Sequence, residues 1–324
     1  MDEVLWRRIE AFGDRLAPTD VARLHRDDLE LFVKMESANP SGSAKDRSAF
    51  WIVREAVRRG EITRGTTVVE SSSGNFALAL AKLCRSLRVP FVPVIDPTVN
   101  TPTERLLRES CTRVEKVDRP DDAGGYLGGR LARVAELRAR IADSYWPDQY
   151  SNTDAVRGHY ELTGGELVGA LPRIDYLFVG VGTGGTIAGL SRRVKAANQD
   201  ATVVAVDVEG SVIFGGPPRR RHIPGIGSGI RPALLDHALI DEVLVVSERD
   251  EVDGCHTLLR DHGLFAGGST GCVYAAVGRY FESYRGPPPV VAFLCSDRGD
   301  PYRNTIYDPN WVATTFAQKR VRTS

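Results

Sequence analysis

The sequence of 324 residues predicts an α/β fold of two doubly wound domains, each built on a parallel sheet. Short β-rich runs alternate with helical patterns along nearly the whole chain, which is typical of parallel sheets covered by helices on both faces. The chain is also too long for one small core. The run 146–149, Trp-Pro-Asp-Gln, separates two such series. We therefore expect a smaller domain over 39–148 and a larger one built from 1–38 and 149–324.

Each element follows from the spacing of its apolar residues and from the residues that end it. Short β-branched or aromatic runs indicate strands, and apolar residues at every third or fourth position indicate helices. Gly60 marks a helix end, because glycine readily adopts the left-handed conformation found there. The predicted strands are 29–36, 67–70, 90–95, 113–117, 174–181, 202–208, 242–246 and 290–294. The predicted helices are 46–59, 75–87, 103–111, 128–142, 153–167 and 186–197.

Composition and charge exclude several classes of protein. Lys plus Arg and Asp plus Glu both number 42, so the formal net charge is zero, which argues against a nucleic-acid binder. No apolar run approaches the ~20 residues of a membrane span, and the N-terminus has no apolar signal core. Five scattered cysteines without metal-ligand spacing indicate reduced thiols. We expect a cytoplasmic protein that binds no nucleic acid, membrane or metal.

One lysine, Lys45, is placed for chemistry. The turn-forming run 39–44 delivers it to the first turn of the helix predicted next. The partial positive charge of a helix N-terminus disfavours an ammonium ion there. A lysine held there and partly desolvated is easier to deprotonate, and a neutral amine can form a Schiff base with an aldehyde. Lys45 alone could equally be a solvated surface lysine, but three further segments favour the chemical interpretation.

Three runs rich in glycine or serine stand at predicted helix starts. The run 71–75, Ser-Ser-Ser-Gly-Asn, offers backbone N–H groups and hydroxyls to a carboxylate or phosphate. The run 180–186, Gly-Val-Gly-Thr-Gly-Gly-Thr, follows the strongest strand, and its glycines would let the backbone approach a phosphate. In the run 267–271, the Ser269 hydroxyl could donate to a neutral heterocyclic nitrogen. The first and third runs alone could equally be ordinary helix caps.

A different cofactor fits part of this pattern. Gly180, Gly182 and Gly185 satisfy G-x-G-x-x-G, and Asp207 ends the next strand roughly 20 residues further on. This combination is typical of Rossmann domains that bind NAD(P) or flavin nucleotides. An NAD(P)-dependent oxidoreductase is therefore an alternative, although it leaves Lys45 and the serine run without a function.

Taken together, the runs resemble the fold-type II enzymes that depend on pyridoxal phosphate (PLP), whose fold is like that of the tryptophan synthase β subunit. Cysteine synthase and cystathionine β-synthase are the relatives that the chain looks most like. The resemblance extends from about Asn39 to Tyr302 and implies pyridoxal 5'-phosphate as cofactor, small amino acids as substrates and a homodimer. It is carried, in the family's order and spacing, by Asn39…Lys45-Asp46-Arg47, Ser73-Gly74-Asn75, Gly182-Thr183-Gly184-Gly185-Thr186 and Gly268-Ser269-x-Gly271.

The same resemblance implies roles for single residues. Lys45 would be the catalytic lysine that forms the imine with the cofactor. Asn75 would bind the ring hydroxyl of the cofactor, and Ser269 its pyridine nitrogen. The cofactor phosphate would lie on Gly182, Thr183, Gly184, Gly185 and Thr186. The substrate would contact Ser72, Ser73, Gly74, Phe76 and Gln149, with Tyr150 and Gly225 at the mouth of the site.

A finer resemblance is to the N-(2-amino-2-carboxyethyl)-L-glutamate synthases, which serve 2,3-diaminopropionate formation in siderophore and antibiotic biosynthesis. The runs 210–215, 223–228 and 297–300 carry it, together with Phe76, where cysteine synthases have threonine. It implies a transferase that carries out β-replacement on O-phospho-L-serine (or O-acetyl-L-serine) through an aminoacrylate, with the amine of L-glutamate as nucleophile. Cysteine synthase using sulfide and a non-catalytic relative that binds a partner remain alternatives.

Anionic substrates of this kind require cations at the mouth of the site. The run Arg219-Arg220-Arg221, with Arg220 at its centre, lies next to the Gly225 loop and could supply them. Arg298 is a second candidate by the same reasoning. The run could equally be a solvated basic loop, since arginines are mostly exposed.

Overall fold

The computed structural model describes residues 2–120 and 125–317. Within these ranges, helices and strands alternate along the chain and the strands form two sheets. The predicted α/β fold class is confirmed.

The larger sheet consists of β1 (Val21–Leu24), β2 (Glu30–Lys34), β7 (Tyr176–Gly180), β8 (Thr202–Val208), β9 (Glu242–Val246) and β10 (Val290–Leu294). Its strand order is β1-β2-β10-β7-β8-β9. Neighbouring strands are parallel except β1 and β2, which are antiparallel. The sheet is therefore not wholly parallel, because the short connection 25–29 between β1 and β2 is long enough for a hairpin but not for a parallel crossover.

The smaller sheet consists of β3 (Thr67–Ser71), β4 (Phe91–Ile95), β5 (Glu115–Lys116) and β6 (Ser144–Tyr145). Its strand order is β5-β4-β3-β6, and all three pairings are parallel. The serine run 71–75 lies at the carboxyl end of β3. Carboxyl ends of parallel strands are where α/β proteins bind their ligands.

The α-helices are α1 (Glu3–Gly13), α2 (Lys45–Arg59), α3 (Asn75–Leu87), α4 (Thr101–Ser110), α5 (Leu127–Arg140), α6 (Asp154–Gly158), α7 (Gly165–Ala170), α8 (Gly185–Ala197), α9 (Glu248–His262), α10 (Gly268–Tyr280) and α11 (Pro309–Thr315). Short 3-10 helices cover Glu36–Ala38, Ala233–His237 and Asp300–Tyr302. A π-helical segment, His159–Gly164, joins α6 to α7. The helix predicted over 153–167 is thus one helical stretch with a widened middle. Gly60 ends α2 with φ of 77°, as expected.

Both faces of the central strand β8 are buried. Val204, Val206 and Val208 belong to one hydrophobic cluster, whereas Val203 and Ala205 belong to another on the opposite face. A strand covered on both sides has no solvent-facing side, which explains the continuous apolar run 203–206. Each buried valine contributes about 1.5–3 kcal/mol relative to an exposed one.

The N-terminal residues contact both halves of the molecule. β1 and β2 lie in the larger sheet, as expected for 1–38. In contrast, Leu5, Ile9 and Phe12 of α1 are buried in the cluster that contains residues of α2 and α3, which flank β3 in the chain. The domain boundaries at 39 and 148 stay a prediction. No helix among residues 2–120 and 125–317 combines the length and apolarity that crossing a membrane requires.

Candidate active site

The loop before Lys45 is held by the segment that follows β10. The Ala44 N–H donates to the carbonyl oxygen of Ser296 at 2.8 Å, and Ser43 pairs with Asp297 in an isolated β-bridge. Lys45 itself is the first residue of α2, as the sequence predicts to within one position. The loop conformation, and so the position of the amine, is fixed by a part of the chain about 250 residues away.

Arg298 clamps the start of the same loop. Its Nε donates to the carbonyl oxygen of Ser37 at 2.8 Å and its Nη2 to that of Asn39 at 3.5 Å. Gly42, with φ of 91°, lies against the Arg298 side chain, since a Cβ there would be 3.2 Å from Arg298 Cδ. Through these contacts Arg298 stabilises the conformation of the Lys45 loop.

The surroundings of Lys45 favour its neutral amine. Burial lowers the pKa of Lys45 from its usual value of 10.5, and the nearby Asp297 carboxylate opposes this shift. The sequence argument named both the helix N-terminus and partial desolvation, and desolvation is the main cause in the structure. The expected outcome, an amine that is easier to deprotonate, is the same.

Asp297 connects the Lys45 loop to two other runs. Its Oδ2 accepts hydrogen bonds from Asn75 Nδ2 and from the Tyr302 hydroxyl, both at 2.8 Å. Its backbone oxygen accepts from the N–H of Gly267, directly before α10. Asp297 is 2% exposed, and its Oδ1 has no hydrogen-bond partner among the described residues. Sequence reasoning placed Asp297 only within the run 297–300, because nothing local shows that this carboxylate reaches α3.

Opposing effects act on the pKa of the Asp297 carboxyl. Burial raises the pKa of Asp297 from 3.8, while hydrogen bonds from Asn75 and Tyr302 and the charge of Lys45 lower it. The Asp297 carboxyl is therefore desolvated and near enough to Lys45 for their charges to interact, and two hydrogen-bond donors partly offset the cost of its burial.

The serine run is ordered by contacts with the first turn of α3 and with Gln149. Ser72 is buried, and its Oγ accepts from the N–H of Ala77 at 3.2 Å, which caps the first turn of α3. Gln149, also buried, donates its Nε2–H to the carbonyl oxygen of Ser71 at 3.0 Å. Ser71 to Asn75 and Gln149 are thus brought together, as the resemblance implied.

The hydroxyl of Ser73 is hydrogen-bonded to two other residues. It donates to Asp96 Oδ2 at 3.0 Å and accepts from Arg130 Nη1 at 3.0 Å and from the N–H of Asp96 at 3.1 Å. A hydroxyl has one donor and two acceptor sites, so no further bond is available to it in this conformation. Arg130, on α5, was missed by the sequence reasoning because an arginine-rich helix gives no sign of which side chain turns inward.

The glycine run between β7 and α8 forms a tight turn. Gly184 has φ of 86°, and a Cβ there would lie 2.9 Å from the backbone nitrogen of Leu235. Only glycine fits this position without strain. The turn leaves the first N–H groups of α8 facing a cavity. The cavity is lined by Lys45, Ser48, Phe76, Gln149, Ala155, His159, Thr183, Gly185 and Thr186.

Ser269 is the second residue of α10 and is 6% exposed. It lies beside the Gly225 loop, where a Cβ on Gly225 would be 3.9 Å from Ser269 Oγ and 3.4 Å from the Tyr302 hydroxyl. Gly225 has φ of 114°, which glycine adopts readily and other residues rarely do. The predicted ring-nitrogen partner and the predicted mouth residue therefore adjoin each other.

Two arginines lie close enough to Tyr150 for their charges to act on it. Burial raises the pKa of Tyr150 above 10, and the charges of Arg130 and Arg221 lower it. Arg221 is half-buried, and its Nη1 donates to the carbonyl oxygen of Ile226 at 2.8 Å. Arg220 is exposed instead. The structure therefore favours Arg221 over Arg220 as the cation beside the Gly225 loop.

The residues required for a dinucleotide site are arranged differently. Asp207 is 2% exposed and its Oδ1 accepts from the N–H of Val208 at 2.8 Å. A buried carboxylate that bonds its own strand end is not presented to a ribose. The cavity at the glycine run is lined instead by Lys45.

The side chains and backbone groups that line this cavity have the chemistry to bind a ligand that carries both an aldehyde and a phosphate. Lys45 supplies an amine with a lowered pKa. The N-terminus of α8 favours a phosphate, and no acidic side chain is among the cavity-lining residues named above. Pyridoxal phosphate has both groups, so the residues present fit this cofactor.

Comparison with known proteins agrees with this fit. The family model described as "Pyridoxal-phosphate dependent enzyme" matches residues 14–297. The chain belongs to this family. The predictions of a fold-type II enzyme of β-substitution transferase type, and of pyridoxal phosphate as its cofactor, are confirmed, and the dinucleotide alternative is rejected.

Solved structures of similar fold define the class of enzyme within this family more closely. The O-acetylserine dependent cystathionine β-synthase from Helicobacter pylori is 27% identical, with a TM-score of 0.84 over 91% of this chain and 97% of that one. O-ureido-L-serine synthase is 28% identical, with a TM-score of 0.84 over 91% and 94%. A hydrogen sulfide-producing enzyme from Fusobacterium nucleatum is 27% identical, with a TM-score of 0.83 over 89% and 98%. The chain is thus a cysteine synthase-like β-replacement enzyme that depends on pyridoxal phosphate.

Proposed function

We propose that this enzyme replaces the β-substituent of O-phospho-L-serine, or of O-acetyl-L-serine, with the amino group of L-glutamate. The product would be N-(2-amino-2-carboxyethyl)-L-glutamate, a precursor of 2,3-diaminopropionate for siderophore or antibiotic biosynthesis. The observation that carries the proposal is a pair of arginines: Arg130 bonds Ser73 of the serine run, Arg221 bonds Ile226 of the Gly225 loop, and the charges of both act on Tyr150. Glutamate and phosphoserine bring several anionic groups to the mouth, whereas sulfide requires no such pair.

The similar structures support an activated serine as first substrate. One of these relatives is named for its dependence on O-acetylserine, and another for the synthesis of O-ureido-L-serine. Both names refer to a serine that carries a substituent on its side-chain oxygen. We infer the same class of substrate for this chain, with the leaving group on Cβ.

The residues of this chain divide the chemistry between them. Bound pyridoxal phosphate supplies an electron sink that acidifies the Cα–H of an attached amino acid. The Lys45 Nζ would take that Cα proton and return one after the nucleophile has added. Asn75 would hold the ring hydroxyl and Ser269 the ring nitrogen, while Gly182 to Thr186 hold the phosphate. A serine hydroxyl at the nitrogen, unlike a carboxylate, does not stabilise a protonated ring.

The substrate carboxylate would lie at the serine run. Because the Ser73 hydroxyl is fully engaged by Asp96 and Arg130, this carboxylate would bind backbone N–H groups at the start of α3. Alternatively it would replace the Ser73 hydroxyl on Arg130, which then becomes a direct ligand. Phe76, which is 2% exposed and lines the cavity, would contact the apolar part of the substrate.

Product analysis tests the proposal directly. The holoenzyme is incubated with O-phospho-L-serine or O-acetyl-L-serine, each with L-glutamate or with sulfide, and the products are identified by mass spectrometry. The expected product arises from glutamate, and the better of the two serine esters identifies the leaving group. If cysteine forms from sulfide and no glutamate adduct forms, the enzyme is a cysteine synthase and the proposal is wrong.

The Arg221→Met variant is expected to lose about ten- to a hundredfold in kcat/KM, because one charge-assisted hydrogen bond contributes about 1.5–3 kcal/mol. A rise in the KM for glutamate would place Arg221 on the nucleophile. A loss confined to O-phospho-L-serine would place it on the phosphate instead. Arg220→Met, which changes the exposed neighbour, is the matched control and should stay within about twofold of the parent. Equal effects in the two variants would contradict the assignment.

The pH dependence of cofactor loading should report the surroundings of Lys45. Because burial lowers its pKa from the usual 10.5, the neutral amine accumulates at lower pH than that of an exposed lysine. The rate at which apoprotein takes up pyridoxal phosphate should therefore rise with pH and level off at lower pH than for an exposed lysine. In Asp297→Asn the opposing negative charge is removed, so the plateau should shift to lower pH. A plateau at the same or higher pH would contradict this arrangement, and stopped-flow absorbance measures it.

Assembly and location remain part of the proposal. We propose a homodimer in the cytoplasm, because relatives of this fold are usually dimers and the thiols are expected to be reduced. Light scattering of the purified holoenzyme measures the mass in solution. A monomer of 35.5 kDa would contradict the dimer.

A further inference from the structure

His159 is a buried polar residue that the function described above does not use. It is 1% exposed, begins the π-helical segment His159–Gly164 and lines the same cavity as Lys45. Its Nε2 lies 3.2 Å from Thr186 Oγ1, and its Nδ1 lies 3.1 Å from Thr163 Oγ1. Each ring nitrogen therefore has one hydroxyl partner, and one of these hydroxyls belongs to the proposed phosphate site.

The contact with Thr186 depends on unusually close packing between α8 and the helical stretch that contains His159. A Cβ on Gly189 would lie 2.5 Å from the carbonyl oxygen of Val156 and 2.6 Å from His159 Cβ. Gly189 follows Thr186 by three positions and so lies on the same side of α8. The glycine thus lets α8 approach until the Thr186 hydroxyl meets the imidazole. The π-helical turn at this point is a rare conformation that recurs at functional sites.

The imidazole is held neutral. Burial lowers the pKa of His159 to about 3, and the charges of Lys45 and Arg47 act in the same direction. A neutral imidazole has one N–H and one acceptor nitrogen, so only one of the two hydroxyls can receive its hydrogen. The two hydrogen bonds that His159 makes, with Thr163 and with Thr186, must therefore be donated in the same direction along the three side chains.

We propose that His159 orients the Thr186 hydroxyl toward the phosphate group of the cofactor and is a positioning residue of the phosphate site. In the tautomer that does this, Nε2–H donates to Thr186 Oγ1, and the Thr186 O–H donates to the phosphate. Nδ1 then accepts the hydrogen of the Thr163 hydroxyl. In the other tautomer Thr186 would donate to Nε2 and turn a lone pair toward an anion, which is unfavourable.

This inference rests on the proposed phosphate role of the run Gly182 to Thr186. Its test compares two ligands of the apoprotein, pyridoxal phosphate and pyridoxal, which lacks the phosphate. Binding is followed by the visible absorbance that each ligand acquires on Lys45. The ratio of the two affinities isolates the phosphate contribution from every effect on the rest of the pocket.

In His159→Phe, the affinity for pyridoxal phosphate should fall about tenfold, within the range of one hydrogen bond to a charged group, while that for pyridoxal stays within about twofold. His159→Gln keeps an N–H donor and should restore most of the loss. Thr186→Val should lower the same ratio at least as much as His159→Phe. Equal losses for both ligands in His159→Phe would show that His159 is merely structural, and the inference would be wrong.

Further variants separate the inference from the proposal beneath it. If Thr186→Val leaves the ratio unchanged, the phosphate role of the run fails and the inference fails with it. If Thr186→Val lowers the ratio of the two affinities and neither His159 variant lowers it, only the role of His159 is wrong. Should His159→Phe fail to fold, Thr163→Val removes the hydrogen that holds Nδ1 and should lower the ratio about threefold. An unchanged ratio in that variant would overturn the inference.

Discussion

The Lys45→Ala variant is expected to lose the visible absorbance of the cofactor-bound enzyme and at least about 10³-fold in turnover. Two functions of one amine are removed together: it would hold the aldehyde of the cofactor, and it would move the Cα proton of the substrate. The amine occupies the start of α2 with a pKa lowered by burial. Absorbance spectra and steady-state assays of the purified variant measure both losses.

Lys82→Ala is the matched control. Lys82 is an exposed lysine whose amine donates to the carbonyl oxygen of Pro40, in the loop that precedes Lys45. Its removal should leave the absorbance and the turnover nearly unchanged. Borohydride treatment of the parent enzyme followed by tryptic mapping should place the pyridoxyl group on the peptide that contains Lys45. A tag on another lysine would overturn the proposed site.

The Arg47→Met variant is expected to lower the free energy of unfolding by about 3–5 kcal/mol. Arg47 is 0% exposed, and its guanidinium bonds Glu36 Oε2 at 3.2 Å and Glu166 Oε2 at 2.8 Å. Without it, Lys34 is left to stabilise the buried carboxylate of Glu36 and the partly exposed carboxylate of Glu166, from which its Nζ lies 3.8 Å and 2.7 Å away. Removing one member of a buried ionic cluster leaves uncompensated charge in a desolvated position, which is far more costly than losing a surface pair.

The measurement is urea unfolding of the apoprotein, since bound cofactor would itself stabilise the folded state. Arg58→Met is the matched control on the same helix. Arg58 bonds Glu55 at 2.8 Å, but 55% of its side chain is exposed, so the loss should be below about 1 kcal/mol. Equal destabilisation in both variants would contradict the importance assigned to the buried cluster.

The Arg47 cluster also connects stability to the site. Glu36 accepts a hydrogen bond from Asn39 Nδ2 at 2.7 Å, and Asn39 begins the loop that carries Lys45. The run Asn39 to Arg47 therefore contains two kinds of residue. Lys45 faces the cavity, whereas Asn39 and Arg47 face the ionic cluster that fixes the loop.

Much of the fold could be predicted because its strands and helices have strong local patterns. The predicted bounds 75–87, 202–208, 242–246 and 290–294 are those of α3, β8, β9 and β10. The helices and strands that the pattern missed are α1, near the start of the chain, and the short elements β1, β6 and α11. β1 and β6 have four and two residues, and such strands exist only because a longer neighbour supplies their hydrogen bonds.

The π-helical segment is another element that the local sequence pattern does not predict. The residues 159–164 carry a helical pattern, and nothing in their order predicts a widened turn. The turn appears where α8 packs closely on this stretch through Gly189, which is a contact between parts of the chain about 30 residues apart. Sequence reasoning therefore found the helix and missed the histidine that it turns into the cavity.

The sequence by itself determined the fold class, the cofactor and the runs that hold the candidate site, because each depends on local chemistry: a lysine at a helix start, glycines in a tight turn, hydroxyls at helix N-termini. Only the tertiary structure decided that Asp297 joins these runs, that Arg221 rather than Arg220 turns inward, that Arg130 bonds Ser73 and that His159 lines the cavity. The physical reason is that orientation and desolvation are set by packing between distant segments. Local order specifies which groups are available, and packing specifies which of them meet.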